Sequence, residues 1–315
     1  MATAGLEWRR CPGRPSVSPE APTHRRGGAP VGRAPRRWFS WTGLILVFAL
    51  ATSPPARALE DQPQARGAYQ FGVFPYVPTL TIDRIFGPMA GSFALELGRP
   101  VDLRTKPTFE QFAKEIERQS YEIVFVHPFF YVQAADHYNY LPVARLNEPM
   151  TAVIMVDASR PWRGLPDLAG KILALPPALA AVSELTRAAL IEVGLKPEVD
   201  VALRHFQTKV SCLQAVAIGS ADACAVPRFV LSQIDSTARL NLRPLVETRS
   251  VRHFVIAAHA RVPEGERNRL QQHVLSWPNT PHGRLVLAAG AWSGSVAAND
   301  REYDEVRALA RLAQE

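Results

Sequence analysis

The sequence predicts an α/β protein, because short apolar segments of strand length alternate with longer segments of helical periodicity from Ala68 onward. Turn residues separate the segments: Pro75 follows the first strand, and Gly98 with Pro100 ends the first helix. Strands that alternate with helices are typical of parallel sheets covered on both faces. We therefore expect mainly parallel sheets flanked by helices.

The first part of this region contains three strand–helix pairs. Strands are predicted at YQFGVFPY, VDLRT and YEIVFVH, and each precedes a helical segment. The second helix follows Thr108, an N-cap candidate, and spaces Phe109, Phe112 and Ile116 along one side. The third strand ends at His127-Pro128, where FYVQAADHY starts the next helix.

The second part repeats the alternation. The predicted strands are TAVIMVDA, ILALP, RHFQT, ADACAVP, RPLVET and RHFVIAAHA. The predicted helices are AAVSELTRAALIEVGL, KVSCLQAVAIG and RFVLSQI, followed by a helical tail made of EGERNRLQQHVLSW, PHGRLVLAAGAW and REYDEVRALARLAQ.

The basic charge of the chain is confined to its N-terminal leader. The 315 residues carry a formal charge of +7, and residues 1–58 contain nine Arg and only two acidic residues. The rest of the chain therefore holds 27 of the 36 basic and 27 of the 29 acidic residues. A charge balance of this kind gives no support to a nucleic-acid partner.

The leader has the organisation of an export signal. Arg36-Arg37 precede the apolar run WTGLILVFALA, and a cleavage site is predicted at Ala56-Arg57-Ala58. We expect residues 1–58 to be removed and the rest to be periplasmic. RRWF is similar to a twin-arginine signal, and a general secretory signal and an uncleaved anchor remain alternatives. The run is shorter than the roughly 20 residues that span a bilayer.

The cysteine count is compatible with one bridge. Cys212 and Cys224 form an even pair in the exported part, and in an oxidising compartment they can form a disulfide or remain two buried thiols. The cysteine and histidine spacings match no metal site, and we expect no metal and no cofactor.

The order of motifs resembles the phosphate/phosphonate-type periplasmic substrate-binding proteins of ABC transporters. The matching stretches are FGVFPY, LGRPVDL, TFEQF, YEIVFVHPFFYVQA, LPDLAGKILAL, LTRAALIEVGLKP, LQAVAIGSADACAV and PHGRLVLAAGAW, spread over residues 69–312. The resemblance implies the two-lobed type II periplasmic binding protein fold, with ligand in the cleft. Lobe 1 would comprise residues 68–152 plus 250–315 and lobe 2 residues 153–249, with crossings near Met155 and Glu247.

The resemblance and the strand ends together select the site residues. In open α/β sheets ligands bind beyond the carboxyl ends of strands. In lobe 1, Tyr76 and Tyr131 match family tyrosines, Phe109 stands at a family aromatic position, and His127 replaces a glycine. The alternative for each of these four residues is a role in packing.

Lobe 2 departs from the family pattern. The Ser-Thr-Ser run of phosphonate binders falls on Leu179-Ala180-Ala181, and its Ser-His pair falls on Thr208-Lys209. Ser183 is a candidate replacement donor or a solvent-facing residue, and Thr208 is a ligand donor or a helix cap. Lys209, a cation at the positive end of a helix dipole, either meets a ligand anion or is solvated. A simple phosphonate is therefore not the expected ligand.

Four functions follow from these observations. The main hypothesis is an exported, monomeric solute receptor of an ABC-type uptake system, which binds a small anion or zwitterion and meets a permease. The alternatives are a periplasmic sensor that signals to a membrane receptor, a scaffold whose cleft has lost its ligand, and an enzyme on this fold. Only Glu184 near Ser183 and His127 opposite Lys209 are candidates for catalysis.

Overall fold

The computed structural model describes residues 67–233 and 241–313. These residues all belong to one compact unit of the chain, Leu59–Glu315. The predicted export signal and its cleavage site lie outside the described residues. Across the described ranges, no helix combines the length and the apolar character needed to cross a membrane.

The strands of the described chain form two sheets. They are β1 (Tyr69–Val73), β2 (Val101–Arg104), β3 (Ile123–Val126), β4 (Tyr140–Leu146), β5 (Ala152–Asp157), β6 (Ile172–Leu175), β7 (Ala202–His205), β8 (Ala223–Pro227), β9 (Leu242–Glu247), β10 (Val255–His259) and β11 (Ser295–Ala297). One sheet has six strands in the order β11-β4-β10-β3-β1-β2, and the other has five in the order β7-β6-β8-β5-β9.

Helices connect and cover the strands. They are α1 (Thr79–Leu97), α2 (Phe109–Glu117), α3 (Pro128–Tyr138), α4 (Ala181–Glu192), α5 (Lys209–Ala217), α6 (Glu264–Ser276), α7 (Pro281–Gly290) and α8 (Asp304–Leu312). Short 3₁₀ helices occupy Leu165–Leu168, Arg228–Gln233, Trp277–Asn279 and Asp300–Tyr303. The predicted helix at RFVLSQI is thus a 3₁₀ helix.

Local sequence explains the start and end of several helices. Gly98 ends α1 with a left-handed φ of 64°, a conformation that glycine adopts without a steric penalty. Thr108 caps α2, as predicted, and its hydroxyl accepts the backbone N–H of Gln111. Phe112 and Ile116, one turn apart on α2, are both buried, so the apolar stripe read from the sequence faces the core.

The strands run in both directions, which differs from the expected mainly parallel sheets. In the six-stranded sheet β1 pairs in parallel with β2 and β3, but β10 and β11 form antiparallel pairs. In the five-stranded sheet β6 pairs in parallel with β7 and β8, and β5 pairs antiparallel with β8 and β9. The antiparallel strands flank the two passages between sheets, where the chain returns without a crossover helix.

Two strands carry a proline at a bulge. The register of β4 against β10 shifts beside Pro142, and the register of β9 against β5 shifts beside Pro244. Proline lacks the N–H that a regular ladder needs, so a bulge or an edge is where a strand accommodates it. The same device therefore occurs once in each sheet.

The chain passes between the sheets twice. It leaves the six-stranded sheet after Leu146 and returns to it at Val255. The two passages lie side by side: Met150 and Val251 form an antiparallel bridge with both N···O distances at 2.9 Å. Thr248 Oγ1 also accepts the N–H of Ala152 at 3.0 Å. Paired backbone segments thus join the sheets.

The final helix contacts elements attached to both sheets. α8 packs against α3, which follows β3, and against α4, which follows β6. Val306 and Leu309 are its buried residues. On the α3 side, Arg307 pairs with Asp136 at 2.7 Å.

Candidate functional site

The carboxyl ends of β1, β2 and β3 meet at one edge of the six-stranded sheet, because these three strands are parallel. Tyr76 follows β1, Phe109 begins the helix after β2, and His127 directly follows β3. These three residues, with Phe74 and Phe254, are called the first wall below.

The carboxyl ends of β6, β7 and β8 likewise share an edge of the five-stranded sheet. The loop after β6 contains Leu179 and Ala180, α5 after β7 begins at Lys209, and Phe229 follows β8. We call these four residues the second wall.

His127 joins the two walls. Its Nε2 lies 2.9 Å from the carbonyl oxygen of Leu179, and its Nδ1 lies 3.3 Å from the backbone nitrogen of Phe130. Because the Phe130 N–H must donate to Nδ1, the ring proton sits on Nε2 and is donated to Leu179. One neutral imidazole therefore caps α3 and bridges to the loop after β6.

The surroundings of His127 are apolar. The residue is 1% exposed, and its ring stacks on Phe130 with centroids 4.4 Å apart. Phe74 approaches edge-on at 5.3 Å and Phe109 lies at 6.3 Å. Burial in these rings lowers the pKa of His127 to about 3, since the charged form would lose its hydration.

Tyr76 lies beside this cluster in a half-buried position. Its ring stacks on Phe74 at 4.8 Å and lies 5.3 Å from Phe254. Burial raises the pKa of its phenol, so the hydroxyl remains protonated at neutral pH and can donate a hydrogen bond. The first wall is therefore mainly aromatic. Its polar side chains are the phenol of Tyr76 and the imidazole of His127, whose two nitrogens are both hydrogen-bonded to the backbone.

Ser183 serves the backbone of the second sheet. It is fully buried, and its hydroxyl lies 3.1 Å from each of the carbonyl oxygens of Pro176 and Pro177. The hydroxyl thus serves as the hydrogen-bond donor for the backbone carbonyls that follow β6. In this conformation Ser183 does not replace the donors of the family's Ser-Thr-Ser run, and it does not face solvent.

The start of α4 is apolar where the family pattern is hydroxylic. Ala180 is the N-cap residue and Ala181 the first helical residue, and neither side chain can form a hydrogen bond. The first backbone N–H groups of a helix still point beyond its N-terminus and carry a partial positive charge. Peptide groups are therefore the polar feature of this segment.

Thr208 and Lys209 lie at the start of α5. Thr208 is the N-cap residue, and its Oγ1 accepts the N–H of Ser211 at 3.1 Å. Lys209 Nζ lies 5.7 Å from the centroid of the Phe229 ring, and partial burial lowers the pKa of the ammonium group. Since β6 lies between β7 and β8, a lysine after β7 that reaches a ring after β8 passes in front of the end of β6.

Tyr131 belongs to a different network. It is fully buried, its hydroxyl donates to Asp300 Oδ1 at 2.7 Å, and its ring lies 4.5 Å from Tyr303. Arg307 donates to both oxygens of Asp300. The network fastens the C-terminal segment to α3, and in this conformation the Tyr131 hydroxyl is engaged by Asp300.

Cys212 and Cys224 are joined by a disulfide that links α5 to β8. Both residues are fully buried, and their Cα atoms are 5.8 Å apart. This distance is within the range of protein disulfides. The bridge fixes the helix that starts with Lys209 to the strand that leads to Phe229.

The structure thus gathers part of the predicted site. Tyr76, Phe109 and His127 share one aromatic cluster, and Thr208 and Lys209 lie on the facing edge. Sequence reasoning missed Phe74, Leu179, Phe229 and Phe254 as site residues, although two of them, Phe74 and Phe254, directly flank a strand. In residues 67–233 and 241–313, no three His, Cys, Asp or Glu side chains cluster as a metal site.

A family model matches residues 71–303, and its description is "ABC transporter, phosphonate, periplasmic substrate-binding protein". The chain belongs to this family. Members of the family are periplasmic solute-binding proteins that deliver small ligands to ABC permeases. No curated protein matches the chain in sequence.

Solved structures with the same fold include three binding proteins. The binding component of a phosphonate ABC transporter from Pseudomonas aeruginosa has a TM-score of 0.67 and 13% identity, covering 78% of this chain and 86% of its own. PhnD1 from Prochlorococcus marinus, in complex with methylphosphonate, scores 0.69 at 14% identity and covers 78% and 97%. The aliphatic sulphonate binding protein from Escherichia coli scores 0.55 at 16% identity and covers 78% and 91%.

These similarities establish the fold as α/β with two helix-flanked sheets, as the sequence predicts, and the family as that of phosphonate-type binding proteins. The identities of 13–16% concern the fold alone. The ligand of this chain must be inferred from its own side chains.

Proposed function

We propose that this protein is an exported, monomeric solute receptor, which captures a small anion or zwitterion between two lobes and presents it to an ABC permease. The lobes would comprise residues 68–152 plus 250–315 and residues 153–249. The single observation that carries the proposal is the hydrogen bond from His127 to Leu179, which brings the two carboxyl-end edges face to face.

The family gives the proposal its second support. The chain matches the family model over residues 71–303, and structural neighbours were solved as binding proteins for a phosphonate and a sulphonate. Binding would follow the usual behaviour of two-lobed receptors, in which the ligand favours a closed arrangement because it contacts both sides.

A binding role without catalysis agrees with the chemistry of the candidate catalytic groups. The Ser183 hydroxyl is engaged by two carbonyl oxygens, and burial holds His127 neutral. Burial raises the pKa of the Glu184 carboxyl, with Arg187 acting against the shift. A serine that donates to carbonyls lacks the base that a nucleophile needs.

Export to the periplasm, by the twin-arginine or the general secretory route, completes the proposal. Its support is the leader sequence together with a family of periplasmic proteins. The disulfide between Cys212 and Cys224 is compatible with an oxidising compartment.

A thermal-shift screen with the purified protein tests the receptor role. The panel contains phosphate, phosphite, alkylphosphonates, carboxylates, sulfonates and amino acids. A ligand at 100 times its Kd should stabilise the folded state by about 2.7 kcal/mol. Chromatography of the incubated ligand should recover it unchanged. Conversion of a stabilising compound to a product would contradict the receptor role and indicate an enzyme.

A further inference from the structure

We infer that the protein has a second binding site, a surface cavity beside the five-stranded sheet that takes the phosphate group of an organic phosphate monoester. The cavity has a volume of about 390 Å³ and is lined by Arg160, Pro161, Trp162, Arg163, Asp167 and Lys171. We call it the far-edge cavity. The inference goes beyond the proposed function, because this cavity lies apart from the cleft.

The far-edge cavity and the second wall lie at opposite edges of the sheet. Lys171 directly precedes β6, whereas Leu179 and Ala180 follow the carboxyl end of this strand. The other lining residues follow β5, which pairs antiparallel with β8, so that Val156 near the end of β5 lies opposite Ala223 at the start of β8. The length of β6 separates the two edges, roughly 13 Å for its four residues. A ligand of the cavity is therefore distinct from a ligand of the cleft.

The loop that forms the cavity is held by its own contacts. The backbone N–H of Arg163 donates to Asp167 Oδ2 at 2.7 Å. The guanidinium of Arg243 donates to the carbonyl oxygen of Trp162 at 2.6 Å. Trp162 is buried, and the guanidinium carbon of Arg160 lies 4.7 Å from the centroid of its ring. A loop that is already ordered loses less conformational entropy when it binds a ligand.

Positive charge exceeds negative charge in the lining of the cavity. The lining has one carboxylate, that of Asp167, and three cations: Arg160, Arg163 and Lys171. Asp222, outside the lining, pairs with Arg160 at 2.8 Å, and the charge of Lys171 acts on the same carboxylate. Two cations thus share Asp222, which leaves one positive charge to attract an anion.

Arg163 and Lys171 are accessible to a ligand from solvent. The Arg163 side chain is 87% exposed, and its ion pair with Asp167, four residues along the chain, has an N···O distance of 3.2 Å. An exposed pair of this kind contributes little to stability because water screens it, so a more highly charged anion can take the place of the carboxylate. Lys171 is partly exposed and lines the same cavity.

A phosphate monoester suits these two cations. The planar guanidinium of Arg163 can donate to two phosphate oxygens at once, and the ammonium group of Lys171 can donate to the third. A carboxylate offers only the single charge and two oxygens that Asp167 already presents to Arg163. The cavity volume is within the range of small-molecule sites, about 300–1,000 Å³, so an organic group can accompany the phosphate.

An amide NMR titration with glycerol 3-phosphate tests the inference. We expect the largest chemical-shift changes at Arg163 and Lys171, and glycerate, which has a carboxylate in place of the phosphate, should bind at least fivefold more weakly. The Arg163→Gln, Lys171→Met double variant should bind glycerol 3-phosphate at least tenfold more weakly. The control is Lys196→Met, which changes an exposed lysine outside the lining and should leave the Kd unchanged.

A lipid headgroup can present the same phosphate monoester, so a second arm identifies the source. Sedimentation with phosphatidylcholine vesicles, with and without phosphatidic acid, measures binding to a phosphate monoester in a membrane. Binding in either arm that the double variant loses supports the site and shows which source it accepts.

The contradicting outcomes are specific. Shift changes confined to the cleft, for example at Tyr76, would overturn the inference and leave the receptor role standing. Equal affinity of the parent and the double variant, or binding in neither arm, would also overturn it. Equal affinity for glycerate and glycerol 3-phosphate would overturn the ligand class.

Discussion

The Nε2–H of His127 donates to the carbonyl oxygen of Leu179 over 2.9 Å, and this bond connects the strand end of one sheet to the strand end of the other. The same ring receives the Phe130 N–H on its second nitrogen. Both nitrogens of one side chain are thereby used by the chain itself. His127 stands where the resembling family has a glycine, and its side chain connects the two walls.

Removing this imidazole should loosen the contact between the sheets. In His127→Ala, α3 loses its N-cap, the Leu179 carbonyl loses its donor, and the ring leaves a cavity among phenylalanines. Loss of the cap and of a buried hydrogen bond should together lower the free energy of unfolding by about 2–4 kcal/mol. Small-angle scattering should give a larger radius of gyration. The control is His137→Ala, an exposed histidine near the end of the same helix. An unchanged radius together with unchanged stability would contradict the bridging role.

Acid should destabilise the protein through its buried neutral histidines. Burial lowers the pKa of His127 to about 3 and that of His253 to about 4, whereas an unfolded histidine titrates near 6.5. The unfolded state therefore binds more protons below pH 6.5, and stability falls as pH decreases toward the folded-state pKa. For each histidine the loss between pH 7 and pH 5 is about 2 kcal/mol.

Urea unfolding at pH 7 and pH 5 measures this loss. A His253→Gln protein should lose about 2 kcal/mol less than the parent over the same interval, because one titrating group is gone. His253 also lies near Glu148, whose charge acts to raise the histidine pKa. A parent and variant with identical pH slopes would show that the pKa of His253 is not lowered in the folded protein.

Breaking the disulfide should destabilise the five-stranded sheet. Cys212 and Cys224 close a short loop with a sequence separation of 12, for which chain entropy predicts a loss of about 3 kcal/mol on reduction. Urea unfolding with and without dithiothreitol measures the change. The Cys212→Ala, Cys224→Ala double variant should be insensitive to dithiothreitol. If thiol titration of the denatured protein finds both cysteines free, the disulfide is absent and this prediction is wrong.

Tyr131→Phe should separate a structural role from a ligand role. The substitution removes the hydroxyl that donates to Asp300 and should lower the free energy of unfolding by about 1–3 kcal/mol, because the acceptor is charged and partly buried. The Kd of any cleft ligand should stay within twofold of the parent value, whereas Tyr76→Phe should weaken it. A large loss of affinity in Tyr131→Phe would show that the Tyr131 hydroxyl contributes to ligand binding.

Local patterns were sufficient for most helices and for the parallel strands. β3 and α3 follow from a buried apolar run that meets Pro128 at the first helical position. β4 was not predicted, because Pro142 interrupts its alternation and only a bulge against β10 accommodates it. β11 has three residues, too few for a periodic pattern. Strand direction depends on which sheet the chain joins, and short-range periodicity does not encode it.

The sequence predicted where the site residues lie better than it predicted their hydrogen-bond partners. The sequence placed His127 at a strand end, but its bond to Leu179 connects residues 52 positions apart. Ser183 was a candidate because a hydroxyl occurs in the first turn of a helix. Its actual acceptors, Pro176 and Pro177, depend on how the preceding loop folds back. Tyr131 was selected by resemblance, and its partner Asp300 lies 169 residues further along the chain.

The placement of α8 connects helices that belong to both sheets. Because α8 contacts both α3 and α4, a rotation of one sheet relative to the other would change at least one of these two helix contacts. A fluorophore attached near Leu312, at the end of α8, should therefore report such a rotation.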